Sequence, residues 1–109
     1  MTRLIKVVHT RDRITPGFTR VDIHRPHVLG NPFHMKSEAE RSTVIKKYRC
    51  WLWGQMQDPD SPASIALDKL ANLEGNLELA CFCAPKACHG DIVKAAIEWL
   101  RKEAYRSER

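Results

Sequence analysis

Three of the chain's four cysteines and one histidine fall within nine residues of the segment Cys81-Phe82-Cys83-Ala84-Pro85-Lys86-Ala87-Cys88-His89-Gly90-Asp91. That density of soft nucleophiles is compatible with three chemistries. Cys81, Cys83, Cys88 and His89 have the residue types of a Cys₃His zinc site. The spacing is irregular, however: no paired C-x-x-C knuckle is present, and adjacent Cys88 and His89 converge on one ion only if the backbone turns sharply between them. A second chemistry makes Cys88 an activated thiol. At the start of a helix, unpaired N–H groups and the dipole lower a thiol's pKa, and His89 is a nearby base for covalent catalysis. Neighbours in sequence do not face each other on a helix, which leaves that pairing open.

The third chemistry, which we favour, is a pocket wall. A helix beginning near Gly90 presents backbone amides to an anion, with Lys86 and His89 as hydrogen-bonding partners and Gly90 allowing close approach. Asp91 then caps the helix or holds a sugar hydroxyl, and Cys81 and Cys83 are small core residues. The expected ligand is a nucleotide or another phosphorylated small molecule, and no cofactor is assigned; zinc is possible and belongs to the alternative, an interaction or nucleic-acid-binding module. Whether the ligand is processed, with Cys88 and His89 as the catalytic pair, or only bound is open at this level.

A second segment, His24-Arg25-Pro26-His27-Val28-Leu29-Gly30-Asn31-Pro32-Phe33-His34, supplies complementary groups. Arg25 can clamp a phosphate or carboxylate bidentately. Gly30 and Asn31 suit a backbone that brings amides close to a ligand. The histidines here lack a metal-ligand spacing and are expected to be ordinary hydrogen-bonded residues. Trp51, Trp53 and Trp99 are expected in or beside the core.

The elements that must position these segments follow from pattern. Arg3–Thr10 and Thr19–His24 read as strands, and Leu77–Cys83 is the strongest strand of the chain. On that strand Cys81 and Cys83 would share a face. Ser37-Glu38-Ala39-Glu40 has the spacing of a capping box opening a helix to about Met56. That helix carries Val44, Ile45, Tyr48, Leu52 and Met56 on one stripe, with Trp51 at its edge and Cys50 and Trp53 opposite. A second helix, about Ala63–Leu73, presents Ile65, Leu67 and Leu70. A third, from about Gly90 to Tyr105, buries Ile92, Val93, Ala96, Ile97 and Leu100. Strands separated by helices predict an α/β fold: a small Rossmann-like layered domain of about three mostly parallel strands flanked by helices. In such sheets ligands sit beyond the carboxyl ends of the strands, where both segments lie.

At 109 residues the chain is expected to form a single domain over 1–109, with a solvated, charged helix end from about 101. A net charge of +5 suits an anionic partner, nucleotide or nucleic acid, although the basic residues are scattered. No apolar run reaches the roughly 20 residues of a membrane span, and no secretory leader is evident at the N-terminus. A cytoplasmic location and reduced thiols are therefore expected, so the cysteines are not read as a disulfide framework. Cys50 and Trp53, on the far side of their helix, suit either a homodimer contact or a second packed helix.

RPHVLGNPF, KYRCWLWGQM and LACFCAPKACHGDIV together resemble the domain of unknown function 4326 family, small proteins frequent in bacteriophage and bacterial genomes. The resemblance runs from about Val21 to Leu100. It implies a compact α/β domain, a phage or prophage origin, and a site assembled from Arg25, Gly30, Asn31, Cys83, Cys88, His89 and Asp91. It implies no substrate or reaction. The family pattern leads one to expect Asp and Ser where this chain has His24 and His27.

Overall fold

β3 (Asn76–Cys81) runs between two strands that precede it, β1 (Ile5–His9) and β2 (Phe18–Asp22), giving the order β1-β3-β2. Both pairings are parallel. The computed structural model of the chain describes residues 3–84 and 86–107, with side chains described through Glu103. Pro85 of the cysteine segment and the last side chains of the expected charged end lie outside the described residues.

The register explains why β3 is an almost unbroken buried run. Val7 and Val21 both align with Leu79, placing Ile5, Leu77, Leu79, Cys81 and Ile23 on the face that forms the core. A central parallel strand is covered on both faces and needs no polar alternation. Glu78 is nevertheless fully buried on the opposite face. Lys6 and Arg20 are its register partners on the two flanking strands, and both form ion pairs with it, at 3.4 and 3.2 Å. The link between β1 and β2, residues 10–17, straps this face without forming a helix. Thr15 donates to Glu78 through both its N–H and its hydroxyl, and Arg20 Nη1 donates to the carbonyls of Thr10 and Asp12.

Three helices build the core side. α1 (Arg41–Met56) buries Val44, Tyr48 and Leu52 at four-residue spacing. α2 (Pro62–Asn72) starts with Pro62 at its first position and Ser61 as N-cap, whose Oγ accepts from the Ser64 amide at 3.1 Å. α3 (His89–Ser107) lies against β1 and β3 and receives α1 and α2 on its flank, with Val93 and Ile97 fully buried. The chain is thus an α/β fold with three parallel strands and three helices, as expected of a small Rossmann-like domain.

Several local expectations change. The Ser37–Glu40 capping box does not form: Ser37 makes no side-chain cap, and Glu40 Oε1 accepts from the Lys36 amide instead, beside a short 3-10 turn at Glu38–Glu40. Ile65 is exposed, because residues two apart on a helix are roughly 200° apart and cannot share a face with Leu67. Arg101 is not a solvated helix end. Its Nη1 donates to the Arg3 carbonyl at 3.0 Å and its Nε to Ala71 at 3.3 Å, tying α3 to the start of β1 and the end of α2. Among the described residues no helix is long and apolar enough to cross a membrane.

The buried carboxylate predicts acid sensitivity. Burial alone would raise the Glu78 pKa, but Thr15, Arg20 and Lys6 outweigh it and hold the pKa below its ordinary 4.5. A depressed folded-state pKa contributes stability that is complete above the unfolded value and is lost as pH falls through the folded one. Glu78→Gln should cost roughly 2 kcal/mol at pH 7 by removing charged hydrogen bonds, and should flatten the decline in stability below about pH 4.5, measured by urea unfolding across pH.

Two glycines make an opposed pair. A Cβ on Gly90 would lie 2.8 Å from Val7 Cγ1 and 3.2 Å from Cys88 Sγ, whereas one on Gly54 in α1 would meet nothing within 4 Å. Gly90→Ala should lower stability by about 1 kcal/mol or more through overpacking. Gly54→Ala should raise it by about 0.5–1 kcal/mol through helix propensity, both read as thermal midpoints.

Candidate functional site

The two segments singled out by residue type meet in one cleft of about 350 Å³ beyond the carboxyl ends of β2 and β3. His24, Arg25, Asn31, Phe33 and His34 line it from the loop after β2; Phe82, Cys83, Cys88 and His89 line it from the loop after β3. Val44 and Ile45 of α1 close the floor, beside Arg41.

Two buried hydrogen bonds fix the first loop. His89 Nε2 donates to the Ile23 carbonyl at 2.8 Å, and the Tyr48 hydroxyl donates to the Leu29 carbonyl at 2.6 Å. Burial pushes the His89 pKa down, and the charges of Arg25 and His24 add to this, against the carbonyl of Ile23 and the carboxylate of Asp91. The imidazole is therefore neutral, its proton on Nε2, and Nδ1 is left as an acceptor on a ring that forms part of the cleft wall. The Tyr48 ring meets this imidazole edge-on, with centroids 5.1 Å apart.

Gly30 serves the loop rather than a ligand. Its amide donates to the His27 carbonyl at 2.8 Å, and a Cβ there would sit 2.9 Å from backbone atoms of Arg25 and His27. Asn31 lines the cleft, but its Oδ1 accepts from the Phe33 amide in a local turn. His27 Nδ1 accepts from the Leu29 amide, and burial lowers its pKa. Arg25 is exposed, and its Nη1 donates to a ring nitrogen of His34 at 2.8 Å. No carboxylate pairs with Arg25 among the described residues.

In the second loop β3 ends at Cys81, so Cys81 and Cys83 do not share a strand face. Cys81 points into the core and half-buried Cys83 lines the cleft. Lys86 is displaced from the cleft wall and pairs with Glu38 at 3.4 Å, both exposed. Gly90 packs on Val7 and Ile23, so its open side faces the sheet and not an anion. Asp91 Oδ2 accepts from the Cys88 amide at 3.1 Å while Cys88 Sγ accepts from the Gly90 amide at 3.3 Å. That is a reciprocal capping box with sulfur in place of a hydroxyl, and of the two roles expected for Asp91 it is the cap that forms.

All four cysteines are free thiols. Cys81 Sγ and Cys88 Sγ lie 3.1 Å apart in the core. Lowering of a thiol pKa, expected at Cys88, falls on Cys81: the hydrogen bond it shares with Cys88 outweighs burial, and the backbone amides of Cys83 and Ala84 add to the effect. The Cys88 pKa is pushed up, first by that hydrogen bond to Cys81 and then by burial. The Cys81, Cys83, Cys88 and His89 set does not converge, since His89 is turned to Ile23. Among the described residues no group of three or more His, Cys, Asp or Glu side chains is arranged to hold a metal ion.

Two residues of the cleft carried no signal in the functional motifs. Arg41 Nη1 donates to the Ala87 carbonyl at 2.8 Å, while its Nε and Nη2 grip the Glu38 carboxylate at 2.9 and 2.7 Å. Glu38, then Cys83, push the Arg41 pKa upward, and Arg41 in turn holds Glu38 at about 2. An arginine at the first turn of a helix opposes the dipole, and that misfit is the clue a sequence offers. Phe82 is 63% exposed at the rim, tilted against His24 with centroids 4.5 Å apart. An aromatic set between two cysteines at the end of a buried strand was the available sign.

No curated protein and no solved structure matches the chain. One family model does, over residues 5–99, described as Domain of unknown function (DUF4326). That span covers nearly every element described above, from the first residue of β1 to most of α3, and the chain therefore belongs to the DUF4326 family.

Proposed function

We propose that the cleft binds a nucleotide-like or other phosphorylated small molecule at the carboxyl ends of β2 and β3. The observation that carries this is the pairing, across one cleft, of an exposed aromatic ring, Phe82, with a guanidinium that has no carboxylate partner among the described residues, Arg25. Anions are held by arginine in preference to most other side chains because of its fixed fork of donors. A planar heterocycle gains offset stacking on a ring such as Phe82, backed by His24. The cleft volume lies at the lower end of the range for small-molecule sites, roughly 300–1,000 Å³.

On this reading Arg25 takes the anionic group and Phe82 the base or other flat moiety. Arg41 is a positioning residue: its donors are committed to Ala87 and Glu38, so it fixes the second loop against α1. Cys83 and the Nδ1 of His89 face the middle of the bound molecule. A neutral imidazole in that place accepts a hydrogen bond from the ligand and has the protonation state of a general base.

Thermal-shift and calorimetric titrations with a panel of nucleoside mono-, di- and triphosphates, and with inorganic phosphate, test this. At least one nucleotide should raise the melting temperature. Arg25→Ala should weaken it about tenfold or more, the loss of one charged hydrogen-bonding group. Phe82→Ala should weaken a nucleotide and leave inorganic phosphate unchanged. A panel without any stabilising ligand, or affinity unaltered in Arg25→Ala, would overturn the assignment.

A further inference from the structure

Two buried thiols are in contact beside the cleft, and ligand binding makes no use of the pair. Cys81 closes β3 and Cys88 caps α3, so these two elements hold their sulfurs 3.1 Å apart. Both are buried, at 1% and 3% exposure, but Cys88 forms part of the cleft wall, which gives a small solute a route to the pair. Cys83 is half-buried in the same wall, while exposed Cys50 lies on α1 and lines a different groove.

We propose that Cys81 and Cys88 form an oxidation site that closes to a reversible intramolecular disulfide when a peroxide enters the cleft. The sulfurs need to approach by about 1 Å, from contact to the roughly 2.05 Å of a disulfide bond. The sequence of bonds balances with hydrogen peroxide as oxidant. One sulfur, as thiolate, attacks a peroxide oxygen; the O–O bond breaks, hydroxide leaves and takes up a proton, and a sulfenic acid remains. The second thiol attacks that sulfur; the S–S bond forms, the S–O bond breaks, and water leaves with the proton of the second thiol. Two thiols and one peroxide thus become one disulfide and two waters.

The pair is prepared for the first step. The two sulfurs share a hydrogen bond, and the amides of Cys83 and Ala84 favour negative charge on Cys81. It is prepared for the second by distance, since the resolving thiol is already in contact. Cys83 is more exposed, but it follows β3 in a bend and belongs to the cleft wall, not to the pair.

Lys86 allows a direct test, because trypsin cleaves between Cys83 and Cys88. The reduced protein is treated with hydrogen peroxide, denatured, alkylated and digested without reductant. A loss of about 2 Da, two alkylatable thiols remaining of the original four, and a linked pair of peptides 70–86 and 87–94 are expected, all reversed by dithiothreitol. Fragmentation between Cys81 and Cys83 in the wild-type linked peptide assigns the bond without any variant. Cys83→Ala supplies a second assignment and should form the same link. A link assigned to Cys83, a disulfide dimer through Cys50 as the main product, or oxidation to sulfinic acid without a linked pair would each overturn the proposal.

Discussion

The hydrogen bond from His89 Nε2 to the Ile23 carbonyl is the contact on which the geometry of the cleft depends. Ile23 leaves the sheet by donating its amide to Ala80, and its carbonyl is then taken by a side chain at the first residue of α3. Two loops that are distant in sequence are thereby fixed to each other at the carboxyl edge of the sheet. A buried donor and a buried carbonyl without each other would both be unsatisfied, which makes the arrangement all-or-none. Burial keeps the imidazole neutral, and a neutral ring is the form that makes this bond while retaining an acceptor for the cleft. Tyr48 secures the far part of the same loop through Leu29, so the cleft rests on rigid core elements although most of its wall is loop.

Charge is divided between the two faces of the sheet in a way that leaves the cleft basic. On the face away from the helices Glu78 is fully matched by Lys6 and Arg20 in register across three strands. With two cations to one carboxylate the triad leaves no negative charge unpaired, and it sets the alignment of β1 and β2 on β3. At the carboxyl edge compensation is incomplete. Glu38 neutralises Arg41 and reaches Lys86, but Arg25 meets only the ring of His34 among the described residues. Positive potential in a concave site with apolar walls attracts anions more strongly than the same charge on an open surface. Within the cleft that potential comes from Arg25, which has no carboxylate partner among the described residues.

Much of the architecture was legible because it rests on period and composition. The run Leu77–Cys81 marked the central strand, and Val44, Tyr48 and Leu52 marked the buried stripe of α1. That Arg25, Asn31, Cys83 and His89 share one cleft also followed from order alone, since parallel strands put their carboxyl ends together. What could not be read was the direction of individual groups. The sequence suggested Gly30 and Gly90 as places where a ligand approaches closely, whereas a Cβ at either would meet the protein's own backbone or core. Lys86 sits within the motif yet turns outward to Glu38, because a bend after β3 rotates it away. Arg41 and Phe82 left only faint local signs; their roles come from a hydrogen bond spanning 46 residues and from exposure at a rim, neither of which is a local property.

Cys88 shows how one side chain is constrained by several demands at once. As an N-cap it is a poor choice, since Ser, Asp or Asn accepts from helix amides better than sulfur does. Its surroundings explain the choice. The first turn of α3 packs directly on the sheet, with Gly90 against Val7 and Ile23, and Cys88 itself is buried beside Cys81. A thiol behaves there as a small apolar group that still takes the Gly90 amide, whereas a carboxylate would carry a buried charge. Asp91 supplies the stronger half of the cap from outside, where it is exposed and remains solvated. The same tight junction at the start of α3 also brings the two sulfurs into contact, so the thiol pair, the helix cap and the cleft wall are consequences of a single packing constraint.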